Sequence, residues 1–248
     1  MEYGIGFLIA LAVGLTGVGA GSITAPVLML FLGRSPVESV GTALVFAAVI
    51  KWSVLPVYWW RKQIHYGVLG LLCAGGIPGV MVGFFLLERL DVAKQGRALF
   101  LVLGLTVAIL ALFNLYRAFK QKVWAPSKDR SRWLPGIAAA IGAEVGFLSA
   151  GAGALGSVAL LGLTPLTPAQ VVGTDMVFGL VLSTIGGGLH LSVGHYDSVL
   201  LWKLIAGGIA GALIGANFSA LLPARPLRLV MSTWLTFIGA QLAWKAWG

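Results

Sequence analysis

The segment Gly17-Val18-Gly19-Ala20-Gly21-Ser22 decides the fold, and its second version, Ser149-Ala150-Gly151-Ala152-Gly153-Ala154, stands 132 residues later. Each lies in the middle of an apolar segment of about 29 residues, where a straight membrane helix would carry Leu or Ile. Alternating glycines cost helix stability and free the backbone to leave the helix. In hydrocarbon such backbone is tolerated only where it faces protein or a water-filled cavity. A pair of Gly-interrupted segments at corresponding places in two halves points to a transporter's substrate site.

The rest of the composition agrees with a membrane setting. Of the 248 residues, 58% are hydrophobic and only 10% charged, and the mean hydropathy is +0.95. Soluble domains carry about a quarter charged residues, so the chain reads as an all-α, multi-pass protein of the cell membrane, with the lipid bilayer as its first partner. The net charge of +9 is not a nucleic-acid footprint. Six basic residues (Arg117, Lys120, Lys122, Lys128, Arg130 and Arg132) gather in one window, the mark of a cytoplasmic loop. No aromatic residues interleave with them to stack bases, so no nucleic-acid partner is expected. Cys73 is the single cysteine, which excludes an intrachain disulfide or thiolate cluster and suits inert packing. The start, Met1-Glu2-Tyr3, has no basic n-region, so no cleaved signal peptide is expected. No cofactor motif is present, and without a P-loop the chain alone cannot drive transport with ATP.

Eight apolar segments follow in order, at about 4–32, 36–60, 67–87, 96–116, 133–163, 168–191, 198–222 and 226–247. Each meets the ~20 residues of a bilayer crossing. Trp59, Trp60, Trp124, Trp133, Trp244 and Trp247 sit near segment ends, as an interfacial belt requires. The 132-residue offset recurs without a gap. Gly14 matches Gly146, Pro36 matches Pro168, Gly41-Thr42 matches Gly173-Thr174, and Val45-Phe46 matches Val177-Phe178. Gly75-Gly76-Ile77 matches Gly207-Gly208-Ile209, followed by Gly79 with Gly211 and Gly83 with Gly215. The expected organisation is two homologous four-segment halves, 1–116 and 133–248, joined by a basic cytoplasmic linker, 117–132.

These residues carry a resemblance. A Gly-rich break in the first helix of each half, then a proline, then Gly-Thr opening the next helix, resembles the TauE/SafE family. The likeness covers essentially the whole chain outside the linker, although alanine interrupts the glycine runs here. It implies a small membrane protein of two homologous halves that exports sulfite or organosulfonates, or is a permease for a related small anion.

Length leaves two geometries for the opening segments. Twenty-nine helical residues measure ~43 Å against a hydrocarbon core of ~30 Å. A re-entrant hairpin folded at the glycines fits, with arms of ~20 Å, and so does a tilted crossing. Hairpins invert the two halves and place Arg61, Lys62, Arg225 and Arg228 with the linker, leaving Arg34, Arg89, Lys94, Arg97 and Lys245 outside. Full crossings shift Arg225 and Arg228 outward and Lys245 inward, which changes the balance only slightly. Hairpins also let the second arms present their unpaired N–H groups and positive dipole ends to an anion near the midplane. Inverted halves, each opening with a re-entrant helix, are therefore expected.

The candidate substrate residues are Gly17, Gly19, Gly21, Ser22, Thr24 and Thr42 in the first half, and Ser149, Gly151, Gly153 and Thr174 in the second. Close helix packing is the competing use of the break glycines. It is the expected use of Gly75, Gly79 and Gly83 and of Gly207, Gly211 and Gly215, spaced four apart on one helix face. Asp175 and Glu144 have alanine counterparts, Ala43 and Ala12. Intramembrane acids are functional by default, and these two are candidates for proton coupling. Lys51 has a stem long enough to snorkel. His190 and His195 flank a loop and read as solvated. The expected function is a secondary transporter, an exporter of a small sulfur-containing anion. The competing classes are an anion channel and a membrane-embedded enzyme. The latter is disfavoured because no paired acids, H-E-x-x-H or G-x-S-x-G occur.

Overall fold

The computed structural model describes residues 2–16, 20–89, 96–119, 129–149, 152–218 and 224–245. Helices occupy nearly all of them. They are α1 (Glu2–Thr16), α2 (Ala20–Phe31), α3 (Pro36–Trp60), α4 (Tyr66–Arg89) and α5 (Gly96–Phe119). After a 3-10 turn (Ser131–Trp133) come α6 (Leu134–Leu148), α7 (Ala152–Leu163), α8 (Pro168–Ser192), α9 (Ser198–Phe218) and α10 (Ala224–Lys245). The opening segments are thus broken in two, as their glycines foretell. Among the described residues α3, α4, α8 and α9 are long and apolar enough to cross a membrane. Trp59, Trp60, Trp133 and Trp244 all face outward, while Trp124 and Trp247 lie outside the described residues.

Local chemistry sets the helix starts. Ser35 caps α3 by accepting the Glu38 N–H, and Pro36 supplies a pre-set φ at the first helical position. Thr167 and Gln170 form a reciprocal capping box on α8 ahead of Pro168. Before α6, Asp129 accepts the Ser131 N–H at 3.0 Å, which holds its carboxyl below the ordinary carboxylate range.

Packing runs between the two series of helices more than within them. The long contacts join α4 to α6, α1 to α9, α5 to α10 and α3 to α8. Gly75, Gly79 and Gly83 of α4 lie against the backbone of Pro135, Ala139 and Ala143 of α6, and Gly207, Gly211 and Gly215 of α9 lie against Tyr3, Phe7 and Leu11 of α1. The stripes therefore do pack helices, backbone on backbone. Their order also fixes direction, since number rises with number, making α4 parallel to α6 and α1 parallel to α9.

The remaining directions follow in the same way. Gly41 meets His195 while Gly208 meets Phe46 and Ile50, so α3 runs with α9. Gly76 meets Phe178, and the Phe84 ring packs on His190, so α4 runs with α8. Between α3 and α8, Gly41 meets His190, Val45 meets Gly187 and Lys51 meets Ser183, an antiparallel crossing. Since α1 and α3 share one sense and α6 and α8 the other, α2 and α7 must bring the chain back. The 12-residue α2 and α7 do so, packing along α3 and α8.

Candidate functional site

The two breaks meet. Gly21, in the first turn of α2, lies against both the carbonyl oxygen and the hydroxyl of Ser149, which ends α6. A Cβ at position 21 would fall on that carbonyl, so only glycine permits the approach. Ser149 turns the chain out of α6 with a left-handed φ of 63°. Its hydroxyl is buried and without a hydrogen-bond partner among the described residues. Everything from Ala20 to Met29 on α2 is buried, Ser22 and Thr24 included. The N-terminus of α2 therefore opens into the interior against the tip of the opposite broken segment. Gly17, Gly19 and Gly151 lie outside the described residues, and Gly153 is half-buried in the first turn of α7.

The polar candidates divide into several situations. Thr24 donates its hydroxyl to the Ala20 carbonyl of its own helix at 2.7 Å. Thr42 accepts the backbone N–H of Asp197 at 3.2 Å, and Thr174 accepts that of His65 at 3.0 Å. Beside them, Gly41 lies against the His195 carbonyl and Gly173 against the Gln63 carbonyl. Each Gly-Thr pair thus seats the loop that precedes α9 or α4: the glycine admits a loop carbonyl, and the threonine accepts a loop N–H. Glu144 is half-buried on α6, one turn before the break.

Asp175 is the most enclosed of the candidate acids at 5% exposure. Its Oδ2 accepts the Ser157 hydroxyl at 2.5 Å, and its Oδ1 has no partner among the described residues. Gly156 makes room for it, because a side chain there would collide with the carboxylate. Both residues belong to the second turn of α7, just past the break.

Two sequence expectations are overturned. Lys51 does not snorkel: it is 4% exposed and donates to the Ser183 hydroxyl at 3.3 Å, where α3 crosses α8. It also lies close enough to Asp175 for each charge to act on the other. His190 is not solvated either. It is fully buried, its Nε2 lies 3.3 Å from the Gly146 carbonyl, and its ring packs edge-on against Phe84. His195 is half-buried, 3.4 Å from Glu88 and 5.6 Å ring to ring from His190. Short loop geometry explains both, since the His195 N–H donates to the His190 carbonyl and folds the loop back over the helix end. Ser157 and Ser183 were not among the sequence candidates.

A helical, apolar chain with two broken segments meeting in its buried centre defines the class: a multi-pass integral membrane transporter. The chain belongs to the sulfite exporter TauE/SafE family, whose profile matches residues 3–242. It is 29% identical to the probable membrane transporter protein YjnA of Bacillus subtilis, over 96% of this chain and 97% of that one. A probable membrane transporter protein of Xylella fastidiosa is 24% identical over 98% of this chain and 94% of its own. A further Bacillus subtilis protein, the probable membrane transporter YdhB, is 28% identical over 88% and 89%. No solved structure matches the chain.

Proposed function

We propose that the protein is a secondary transporter that exports a small sulfur-containing anion, such as sulfite or an organosulfonate, and binds it between the two breaks. The observation that carries this reading is the contact of Gly21 with Ser149. It brings a helix N-terminus, an unpartnered buried hydroxyl and glycine backbone to one place, and N–H groups with a positive dipole end suit an anion. The glycines of both breaks, with Ser22 and Ser149, form the binding face in this reading. The family's description as sulfite exporters supports the substrate class and the direction.

The same reading takes 1–116 and 133–248 as inverted halves, with the linker 117–132 in the cytoplasm. The antiparallel crossing of α3 and α8 and the returning arms α2 and α7 support it. Asp175 is the proton-coupling acid, because it lies next to the second break and would repel a bound anion while ionised. Proton binding and anion binding then favour each other. Glu144 holds the same role in reserve. Reconstitution tests the function directly. Proteoliposomes should show saturable uptake and counterflow of labelled sulfite or a sulfonate. Unitary currents in a planar bilayer would make the protein a channel instead.

A further inference from the structure

We propose that Lys51 is the cationic anchor of the transported anion and that Asp175 is the counter-ion which the anion replaces. This rests on the anion-transport reading and names the residue that supplies its charge. Lys51 projects from the middle of α3 to the point where α3 crosses α8, and its partner Ser183 is its own equivalent under the 132-residue repeat. The crossing point therefore faces itself, and only one of the two positions can carry an ammonium without a like charge opposite.

The ammonium has three donors, and among the described residues only Ser183 takes one. About two turns before Ser183 on α8, Asp175 keeps an unpartnered Oδ1. The two charges act on each other yet make no direct ion pair. A buried cation and carboxylate that stop short of contact are costly unless something completes them. An oxyanion seated between them meets the spare donors of Lys51 and the hydroxyl of Ser183. An ionised Asp175 would then stand next to a like charge, so it takes a proton as the anion arrives. The site stays neutral both ways: Lys51 with ionised Asp175 when empty, Lys51 with the anion and protonated Asp175 when loaded. One proton thereby travels with each monovalent anion.

Lys51 is the charged group that acts on Asp175. The other titratable groups on elements packed against α8 include Glu38 and Tyr58 on α3, Cys73 and Glu88 on α4, Glu144 on α6, and His65 in the loop that meets Thr174. His190, on α8 itself, faces Gly146 and Phe84 at the far end.

The test uses the full-length protein in detergent and reads binding as a rise in melting temperature with methanesulfonate, whose charge does not change with pH. Sulfite, thiosulfate and chloride are run alongside. Wild type should bind more weakly as pH rises, because binding takes up a proton. Asp175→Asn should bind at least about tenfold tighter near neutral pH and lose the pH dependence wherever the Lys51 ammonium stays charged, which a merely structural carboxylate would not produce. Lys51→Met should lose the response. Because that variant strands the Asp175 carboxylate, Lys51→Met/Asp175→Asn provides the same test in a fold without the stranded charge, and it too should not respond. A wild-type response that either Lys51 variant retains overturns this site alone, as does an Asp175→Asn variant with wild-type affinity and pH profile. No response to any anion in wild type or in Asp175→Asn overturns the site and the anion-transport reading together.

Discussion

Alanine at Gly79 should destabilise the protein, whereas alanine at Gly70 of the same helix should not. In α4, a Cβ on Gly79 would fall on the Ala139 carbonyl oxygen of α6, 2.9 Å from the carbonyl carbon and 3.0 Å from the Cα. Ordinary contact for a Cβ begins at 3.4 Å, and the obstacle is backbone that cannot rotate away. The helices must separate, which loosens the Gly75 and Gly83 contacts in the same stripe. Overpacking of this kind costs ~1–3 kcal/mol, offset by the ~1 kcal/mol that alanine gains over glycine in a helix. Gly70 has nothing within 4 Å and only the gain applies. The two variants should differ by about 2 kcal/mol, or roughly 4–8 °C in melting temperature for a chain of this size. Gly211→Ala on α9, whose Cβ would lie 3.0 Å from the Phe7 carbonyl carbon, should behave as Gly79→Ala does. Thermal unfolding of the detergent-purified variants measures all three. Equal melting temperatures for Gly79→Ala and Gly70→Ala would refute backbone contact between α4 and α6.

Cysteines placed at positions 2 and 34 in a Cys73→Ser background should label from one side of the membrane, opposite to one in the linker; labelling from opposite sides would exclude inverted halves. Gly19→Leu and Gly151→Leu should purify normally and fail to bind the substrate anion, and wild-type affinity in both would reduce the breaks to packing features. Thr42→Val should cost ~1–3 kcal/mol by leaving the Asp197 N–H without its acceptor, while Thr42→Ser keeps the acceptor and should cost only ~0.8 kcal/mol for one buried methyl in chemical denaturation. A Thr42→Val variant as stable as Thr42→Ser would show that the loop N–H finds another partner.

The architecture was legible because backbone rules write themselves into residue type. The glycine-rich stretches make a continuous membrane helix costly, and each opening segment divides into two helices, α1 ending at Thr16 with α2 starting at Ala20, and α6 ending at Leu148 with α7 starting at Ala152. The segments expected to begin at Pro36 and Pro168 do start α3 and α8 there, capped by Ser35 and Thr167. Spacing by four predicts packing stripes, but not that each stripe crosses to the other series, since periodicity identifies a face and not its partner. Thr42 and Thr174 illustrate the same limit. Their polarity was visible, whereas the loops at 63–65 and 195–197 that fold onto them are set by tertiary closure. His190 and His195 read as solvated because they flank a loop, and that loop turns inward.

Lys51 shows what the repeat register tells once the helix crossing is known. In an antiparallel crossing of two equivalent helices, a residue can face its own repeat equivalent only near the crossing point. The pair 51 and 183 does so, and the neighbouring contacts at Val45 with Gly187 and Gly41 with His190 place the crossing there. Any polar residue at such a position meets its counterpart, so once the crossing point is known the repeat register places Lys51 against Ser183. Snorkelling was the wrong expectation because it considers the length of a side chain and not where its helix crosses another. The same reasoning explains why the charges break the symmetry that the backbone keeps. Two lysines at the crossing would repel, and two serines would leave no cation. One of each, with Asp175 and Ser157 standing where the first series has Ala43 and Ala25, puts one buried lysine and one buried aspartate among the described residues of the interior.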